Sequence, residues 1–411
     1  MNINKLPSPL QGLLLAGAAL LFCATAWSQT ATPVAAAAPS HAAHAPRAQL
    51  ATGAAFAPDG SLWMVGLDAQ QQLSTWRSTD LATWSEPHKL ETRGDAISAD
   101  GENRPKIAFG PQGQVVIAYT RPLDKPYTGW IRMLRSSDGG ANFSAPFTVH
   151  HDTQEITHRF ESVAFDATGA LHAVWIDKRD LKASGKGYVG AAIYQTVSTD
   201  GGKTFGPDTK VADHSCECCR IALAQGPDGK LRALWRHVFG ASTRDHAFAN
   251  LSDSAPNTFK RATFDEWNIQ ACPHHGPGLA RADSATNPGY HAVWFGIRKE
   301  KGADVAAVRY ARLGADGQPI ASTVRALPDA QAEHADVAAT GDKLAIVWRS
   351  FQGKETSLKA WLSKDGGKTF ETRVLATARG NNDQPHLVSN DARMVVIWRT
   401  TEQTQIHELS F

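Results

Sequence analysis

The sequence lacks both an excess of charge of one sign and an apolar run long enough for a membrane helix. Lys and Arg total 42 against 40 Asp and Glu, so no overall positive field would draw nucleic acid or an anionic membrane surface. The N-terminal apolar stretch, residues 13–22, is about half of the roughly 20 residues that a bilayer-spanning helix needs. We therefore expect no nucleic-acid partner and no membrane span in the mature chain.

The N-terminal apolar stretch has the features of a secretory signal. It follows one Lys and leads to small residues that suit cleavage after Ala26 or Ser28. We predict a signal peptide over residues 1–28, an Ala- and Pro-rich tether over 29–47 that cannot bury a core, and one folded domain over 48–411. The expected location is the periplasm, reached by export, and we expect the folded domain to be a monomer.

A short apolar phrase, ending mostly in Trp, recurs seven times along the folded region. The copies are LWMVG (62–66), VVIAY (115–119), LHAVW (171–175), LRALW (231–235), YHAVW (290–294), LAIVW (344–348) and MVVIW (394–398). A turn precedes most copies, and another apolar segment lies before the turn, as in a β-hairpin. The copies end 50 to 60 residues apart, which is the size of a four-stranded propeller blade. The sequence predicts an all-β propeller with seven blades, or with six if the first or last copy is not a true blade.

The last copy of the repeat leaves room for only three strands before the C-terminus at Phe411. A propeller closes its ring because closure removes exposed sheet edges. We therefore expect residues 47–50 to supply the missing fourth strand of the last blade.

A second motif marks the turn between the third and fourth strands of the repeat. It reads SSDGGANF (136–143), STDGGKTF (198–205) and SKDGGKTF (363–370), with looser copies at 78–84 and 251–259. These turns resemble the Asp boxes of sialidases and related propellers, and the resemblance covers residues 48–411. It implies the propeller fold. It also implies a structural role for Asp138, Asp200 and Asp365, which would bond backbone donors on the face away from the active site while the aromatic residue fills the blade interior.

Cysteine and histidine gather just before the innermost strands. These stretches, which we call the channel segments and number by their blade from the second to the seventh, are 101–108, 157–164, 214–224, 270–280, 332–339 and 382–389. They should converge on the propeller axis, on the face where propellers of this class bind ligands. They contain all four cysteines of the mature chain and six histidines, namely Cys216, Cys218, Cys219, Cys272, His158, His214, His274, His275, His334 and His386.

The channel segments HSCECC and ACPHH belong to neighbouring blades and should face each other at one mouth of the channel. Thiolates and imidazoles together select soft or borderline metals, and sulfur-rich sites suit Cu(I). The spacing C-x-C-C is too cramped for the paired ligands of a zinc finger, which are two to four residues apart. We predict a copper site, with zinc as the alternative ion. Its ligands would be Cys216, Cys218, Cys219 and Cys272, joined by His274 or His275, with His237 and His246 in reserve as outer-shell groups.

The predicted function is copper handling or homeostasis, by sequestering, transferring or sensing the ion. If the metal is handed on, we expect a transporter or metal chaperone to dock at the same face. Disulfide bonding is the competing interpretation of the cysteines, because it is the default for an even cysteine count in an oxidising compartment. Cys272 paired with any one of the triplet would staple adjacent blades.

The sialidase resemblance implies a different use of the mouth. Enzymes of that family use an arginine triad for the substrate carboxylate, a Tyr nucleophile activated by Glu, and an Asp acid/base. The residues that could take these roles are Arg104, Arg220, Tyr127, Tyr188, Glu161 and Asp177, although no spacing enforces the set. A sialidase-like glycoside hydrolase is therefore one alternative, and a non-catalytic glycan- or protein-binding propeller is another. Because a glycosidase that relies on two carboxyl groups has no need of a Cys- and His-rich mouth, the sequence leans against an enzyme without deciding the question.

Overall fold

The structure is a computed structural model that describes residues 48–183, 190–282 and 288–411. The predicted signal peptide and tether therefore lie outside the described residues. Within the described part, the chain is built almost wholly of β-strands, and no helix there is both long and apolar enough to cross a membrane.

The strands alternate with tight turns along the whole described chain. The first four groups are β1 (Gly53–Phe56), β2 (Leu62–Leu67), β3 (Leu73–Ser78), β4 (His88–Lys89); β5 (Lys106–Phe109), β6 (Val115–Pro122), β7 (Gly129–Ser136), β8 (Phe147–Thr148); β9 (His158–Phe165), β10 (Leu171–Asp177), β11 (Ala191–Ser198), β12 (Thr209–Ser215); and β13 (Ala222–Gln225), β14 (Leu231–Phe239), β15 (Thr243–Asn250), β16 (Phe259–Arg261). The remaining groups are β17 (Gly278–Ala282), β18 (Gly289–Glu300), β19 (Ala303–Gly314), β20 (Arg325–Ala326); β21 (Ala332–Thr340), β22 (Lys343–Gln352), β23 (Glu355–Ser363), β24 (Glu371–Arg379); and β25 (His386–Ser389), β26 (Met394–Arg399), β27 (Thr404–Glu408). A short α-helix, α1 (Arg179–Ala183), follows β10, and a 3-10 helix (Ala321–Thr323) precedes β20.

Each group is an antiparallel meander in which consecutive strands pair. The second strand of each group contains one copy of the apolar phrase found in the sequence, and every residue of these phrases is buried except Arg232, which is half-buried. A single pair, Ser215 with His237, joins the third and fourth groups into one eight-stranded sheet. The choice between seven blades and six therefore stays a prediction.

The innermost strands are arranged in a closed ring. Contacts run from β1 through β5, β9, β13, β17, β21 and β25, and β25 also contacts β1. The predicted all-β propeller is confirmed.

The last group has three strands, and the expectation that residues 47–50 add a fourth is wrong. Residues 48–52 form no strand, because their backbone bonds elsewhere: the N–H of Ala51 donates to the carbonyl of Ala99 at 2.8 Å. The N–H of Thr52 donates instead to Asp383 Oδ2 of the last channel segment, at 3.2 Å. A side chain therefore links the beginning of the described chain to its last group.

Four of the five tryptophans that end the apolar phrases hold their strands in the core through hydrogen bonds. Trp175, Trp294, Trp348 and Trp398 are at most 3% exposed. Each finds an acceptor for its indole N–H: in three cases it is a carboxylate, Asp177 at 2.8 Å, Asp265 at 2.7 Å and Asp329 at 3.0 Å, and in the fourth it is the carbonyl of Asp383 at 2.9 Å. These bonds matter because leaving a buried indole N–H unpaired costs about 1–3 kcal/mol. The fifth tryptophan of the phrases, Trp235, is equally buried, but its Nε1 has no hydrogen-bond partner among the described residues.

The Asp-box turns have the structural role that the resemblance implied. In the first box Asp138 accepts hydrogen bonds from the hydroxyl of Ser136 at 2.7 Å and from the backbone N–H of Asn142 at 3.0 Å, and the other two full boxes repeat this pattern. Hydrogen bonds from Ser136 and Asn142 lower the pKa of Asp138 to about 2. The N–H of Gly139 donates to the carbonyl of Gly113 in the β5–β6 turn. This turn lies at the far end of β5 from the channel segment, so the box and the channel segments occupy opposite faces.

Candidate metal centre

A buried carboxylate, Glu102, holds the fourth and fifth channel segments together. Its Oε2 accepts hydrogen bonds from the backbone N–H of Arg220 at 2.7 Å and of Gly276 at 3.0 Å. Burial raises the pKa of Glu102, but the guanidinium of Arg220 and the ring of His334 lower it further, so the group is a carboxylate at neutral pH. The two cysteine-bearing segments are therefore neighbours at one mouth of the channel, as the blade order predicts.

Three thiols meet in the turn between β12 and β13. The Sγ of Cys216 lies 3.4 Å from that of Cys219 and 3.8 Å from that of Cys218. All three side chains are at most 5% exposed, and their sulfur atoms all lie within 4.8 Å of one another. No disulfide bond joins any two of the described cysteines, and the sulfur separations far exceed the S–S bond length of about 2.05 Å. These three side chains converge on a common point, which we call the thiol cluster.

Cys272 approaches the thiol cluster from the fifth channel segment. It is the one exposed member of the four cysteines. Its interaction with Cys216 dominates the shift that raises the pKa of its own thiol to about 11. The structure thus brings together three of the predicted ligands, all buried, and Cys272 interacts with them without joining the group whose sulfurs lie within 4.8 Å of one another.

The electrostatics of the thiol cluster favour one thiolate at Cys216. Hydrogen bonds from the other cysteines, and then the guanidinium of Arg236, hold the pKa of Cys216 well below its usual range. Arg236 is 1% exposed, and its guanidinium donates to the carbonyls of His275 at 2.9 Å and Phe295 at 2.7 Å. It therefore places a buried positive charge beside the sulfurs. No carboxylate among the described residues forms a hydrogen bond with this guanidinium.

His246 and His237 behave differently, although both follow the fourth apolar phrase. His246 is fully buried and interacts with Cys216. Its Nδ1 lies 3.1 Å from the hydroxyl of Thr263, whereas its Nε2 has no hydrogen-bond partner among the described residues. Burial lowers its pKa, so the ring is neutral. His237 packs between the rings of Phe239 and Phe259. Of the two reserve candidates, His246 is the one that lies near the sulfurs.

Neither His274 nor His275 belongs to the group of donor atoms within 4.8 Å of one another that the three thiols form in the described part of the chain. His275 stacks on His334, with ring centroids 4.3 Å apart, and forms a group with Glu333 and His334. His274 lines a cavity of about 390 Å³ at the mouth, together with Asp100, His334 and Arg349. Both histidines therefore belong to the mouth, on the same face as the thiol cluster but in a different group of side chains.

The two arginines that the sialidase resemblance singled out are already paired. Arg104 is 5% exposed, and its Nη1 donates to Asp383 at 3.3 Å and to the carbonyl of Thr52 at 2.8 Å. Arg220 pairs with Glu102 at 3.1 Å. Both line a channel cavity of about 260 Å³, but each guanidinium is bound by a carboxylate of the protein. They act as channel-lining ion pairs.

The remaining sialidase candidates do not form a catalytic set in the described residues. Glu161 is 1% exposed and accepts a hydrogen bond from Thr120 at 2.7 Å, and burial raises its pKa. Asp177 is fully buried and bonded to Trp175. Tyr127 is 74% exposed, and Tyr188 lies outside the described residues. Neither carboxyl group is presented to solvent at the mouth.

Three functional candidates were missed by sequence reasoning. Arg236 supplies the positive charge beside the sulfurs, Glu102 joins two channel segments, and Glu333 joins the histidines at the mouth. Arg236 directly follows the Trp of its apolar phrase, as Arg349 and Arg399 do in two other copies, so nothing in the sequence distinguishes it or says that it points inward. The other two have only their position in a channel segment as a signal.

No family model and no curated protein matches the chain. Solved structures do match. A polysaccharide lyase of family PL25, an ulvan lyase bound to a GlcA–Rha3S oligosaccharide, has a TM-score of 0.54 at 12% identity, covering 87% of this chain and 91% of the lyase. An α-L-arabinofuranosidase from Fusarium graminearum has a TM-score of 0.50 at 14% identity, covering 80% and 92%. The Hadza microbial sialidase Hz136 has a TM-score of 0.46 at 13% identity, covering 82% and 73%.

At these identities the likeness to the lyase and the arabinofuranosidase supports the propeller fold. It concerns the fold alone, because one fold hosts many functions. The function has to be argued from the site.

Proposed function

We propose that the chain binds a soft metal ion through Cys216, Cys218, Cys219 and Cys272, and that the ion is copper(I), with zinc as the second choice. The observation that carries the proposal is the thiol cluster, in which three buried sulfurs lie 3.4 to 3.8 Å from their neighbours. A metal–sulfur bond of about 2.3 Å puts sulfurs about 3.8 Å apart in a tetrahedral site and about 4.0 Å apart in a trigonal one. The observed spacing needs only small side-chain movements to hold an ion.

Charge supports the same proposal. A buried thiolate is costly unless another charge compensates it. Arg236 supplies one positive charge beside Cys216, and a bound cation would supply the rest, because metal ligands must be deprotonated and binding releases their protons. The charge balance of the thiol cluster therefore favours binding of a cation.

The donor set favours copper(I) over zinc. Sulfur-rich sites select copper(I), and the three buried sulfurs form a set that needs no histidine. Cys272 is exposed, so it can receive an ion from solvent or from a partner before the buried sulfurs take it. We propose transfer or sequestration of copper at an exported location, with a metal chaperone or transporter as the partner that docks at this mouth.

An anaerobic copper(I) titration of the reduced protein, in competition with a chromophoric chelator, tests the proposal. We expect one tight equivalent in the wild type and a loss of affinity of at least about a hundredfold in Cys216→Ser, which removes the sulfur at the centre of the cluster. His88→Ala is the matched control, because His88 is exposed and lies in β4. Equal copper(I) affinity in the wild type and Cys216→Ser would overturn the proposal.

A second candidate is a carbohydrate-active enzyme or a glycan-binding propeller. The observation that favours it is the set of similar solved structures, since the lyase acts on ulvan and the arabinofuranosidase is also a glycan-cleaving enzyme. The mouth cavity of about 390 Å³ could receive sugar units, and Arg349 on its wall carries positive charge. The comparisons favour this candidate over copper, whereas the thiol cluster gives no reason for it.

Incubation with ulvan, an arabinan and a fluorogenic sialoside tests this candidate directly. Release of unsaturated uronate or reducing ends, lost in Arg349→Ala and kept in His88→Ala, would establish an enzyme. Saturable binding of an oligosaccharide without turnover would establish a binding module. The absence of both turnover and binding would reject the candidate for these glycans.

A further inference from the structure

A second group of ligand-type side chains lies at the mouth, apart from the thiol cluster. One ring nitrogen of His275, one of His334 and one carboxylate oxygen of Glu333 all lie within 4.8 Å of one another. His275 comes from the fifth channel segment, whereas Glu333 and His334 lie in β21 of the sixth group. The group therefore bridges two neighbouring parts of the ring, and none of its members is a thiol.

His334 is oriented as a metal ligand usually is. Its Nδ1 lies 3.5 Å from Oε1 of Glu102, and its Nε2 lies 3.9 Å from Oε2 of Glu333. In metal sites the ligating histidine almost always has a carboxylate or carbonyl at its other ring nitrogen, which fixes its tautomer and direction. Glu102 lies at that position here, but at 3.5 Å it forms no hydrogen bond with Nδ1 of His334, and Nε2 is the nitrogen that faces Glu333.

Glu333 is held in place by Arg349. The Nε of Arg349 lies 2.8 Å from Oε1 of Glu333, and its Nη1 donates to the carbonyl of Asn382 at 3.1 Å. Only one carboxylate oxygen is thereby occupied. The other, Oε2, faces His334 and remains available as a ligand.

His275 offers a free nitrogen. Its Nδ1 is buried and has no hydrogen-bond partner among the described residues. Burial, and then the neighbouring His334, lower its pKa to about 2, so the ring is neutral and keeps its lone pair. The ring stacks between Phe295 and His334, with centroids 4.3 Å from each, and its backbone carbonyl is held by Arg236 at 2.9 Å. Because a metal ion lies in the plane of each imidazole that binds it, one of the two stacked rings has to rotate out of the stack to share an ion with the other.

The backbone at this group is also unusual. His334 has a φ of +50°, a left-handed conformation that costs a residue with a side chain about 1 kcal/mol or more. It coincides with a bulge, because the register of β21 against β22 shifts between Glu333 and Asp336. The bulge turns the side chain of His334 into the mouth instead of leaving it in the regular alternation of the strand.

We propose that His275, Glu333 and His334 form a second metal site, for a divalent first-row cation. Two imidazoles and one carboxylate are the donor set of zinc sites that keep an open position, and of iron(II) sites of the facial-triad type. In such a site, nitrogen and oxygen ligands about 2.1 Å from the ion lie about 3.4 Å apart, close to the 3.9 Å between Nε2 of His334 and Oε2 of Glu333. Because His334 lines the mouth cavity, the open positions would face it and accept water or an anionic group of a ligand.

Cobalt(II) titration of the reduced, metal-free protein separates this site from the thiol cluster. Cobalt bound by thiolates gives a charge-transfer band in the near ultraviolet, whereas cobalt bound by imidazole and carboxylate gives visible bands without it. We expect a cobalt equivalent without the thiolate band in the wild type, and a loss of its affinity of at least about tenfold in His334→Ala and in Glu333→Gln. His88→Ala should bind as the wild type does.

Glu333→Gln keeps the size of the side chain, so it guards against the case in which His334→Ala fails to fold. Thiolate-free cobalt bound equally by the wild type and by both variants would overturn the proposal, and so would its absence from the wild type. The thiolate band reports independently on the proposed copper site. If that band is missing while the other is present, the second site stands, and the copper(I) titration remains the test of the thiol cluster.

Discussion

Asp329 connects the turn before β21 to two strands of the sixth group, and its removal should destabilise the fold by a predictable amount. Its Oδ2 accepts hydrogen bonds from Nζ of Lys359 at 2.7 Å and from Nε1 of Trp348 at 3.0 Å. Trp348 is fully buried, and the Asp329 and Lys359 side chains are 8% and 17% exposed. Asp329→Ala leaves the indole N–H unpaired, at about 1–3 kcal/mol, and removes a bond to a charged group worth about 1.5–3 kcal/mol. We expect a loss of about 3 kcal/mol for Asp329→Ala and of about 1–2 kcal/mol for Asp329→Asn, which keeps an acceptor for the indole.

The same carboxylate should make the difference depend on pH. Burial raises the pKa of Asp329, but hydrogen bonds from Lys359 and Trp348 lower it further, so it lies below its usual value. A carboxylate with a lowered folded-state pKa contributes stability above the unfolded pKa of about 3.9 and loses that contribution as the pH falls through the folded value. The difference between the wild type and Asp329→Asn should be full at neutral pH and shrink below about pH 4.

Urea unfolding followed by tryptophan fluorescence, at neutral and acid pH, measures both effects. Asp342→Asn is the matched control, because Asp342 is exposed and lies in the same group. If Asp329→Ala and Asp342→Asn unfold at the same urea concentration at neutral pH, the account of the buried indole contact is wrong. A difference between the wild type and Asp329→Asn that grows on acidification would contradict the pH argument.

Two further substitutions test the packing of the blades and the role of the exposed thiol. Gly367 and Gly353 both have positive φ, but a methyl group at Gly367 would clash with the Tyr310 hydroxyl, whereas one at Gly353 would meet nothing within 4 Å. Thermal unfolding should show Gly367→Ala destabilised by about 3 kcal/mol and Gly353→Ala by about 1 kcal/mol, and equal losses would contradict this. Cys272→Ser should leave unfolding within about 0.5 kcal/mol of the wild type, because the residue is exposed, while weakening copper(I) binding at least about tenfold in the chelator competition. Unchanged copper affinity would remove Cys272 from the ligand set.

The fold could be predicted because its signals are local and repeated. The apolar phrases, the turns before them and the Asp boxes each specify one blade, so the copies support one another. The closure of the ring was less predictable. Nothing in residues 47–50 shows that the adjoining Ala51 bonds to Ala99 instead of pairing with β27.

The candidate site was predictable only in part. The spacing of Cys216, Cys218 and Cys219 places the sulfurs on one tight turn, so their meeting follows from the chain itself. The position of His275 does not, because its partners Glu333 and His334 come from another group and meet it through a bulge in β21. Such long-range pairings depend on the shape of the closed ring, which no local pattern encodes.

Elemental analysis of the mature protein, purified from the exported fraction without a histidine tag, tests the central claim most directly when it is paired with a free-thiol titration. The account predicts near-stoichiometric copper that is lost in the Cys216→Ser/Cys218→Ser double variant, with thiols that become titratable once the metal is removed. Metal-free protein with no titratable thiol, and no uptake of copper(I) after reduction, would contradict it. That result would assign the cysteines to disulfides and leave glycan binding or cleavage as the function of the mouth.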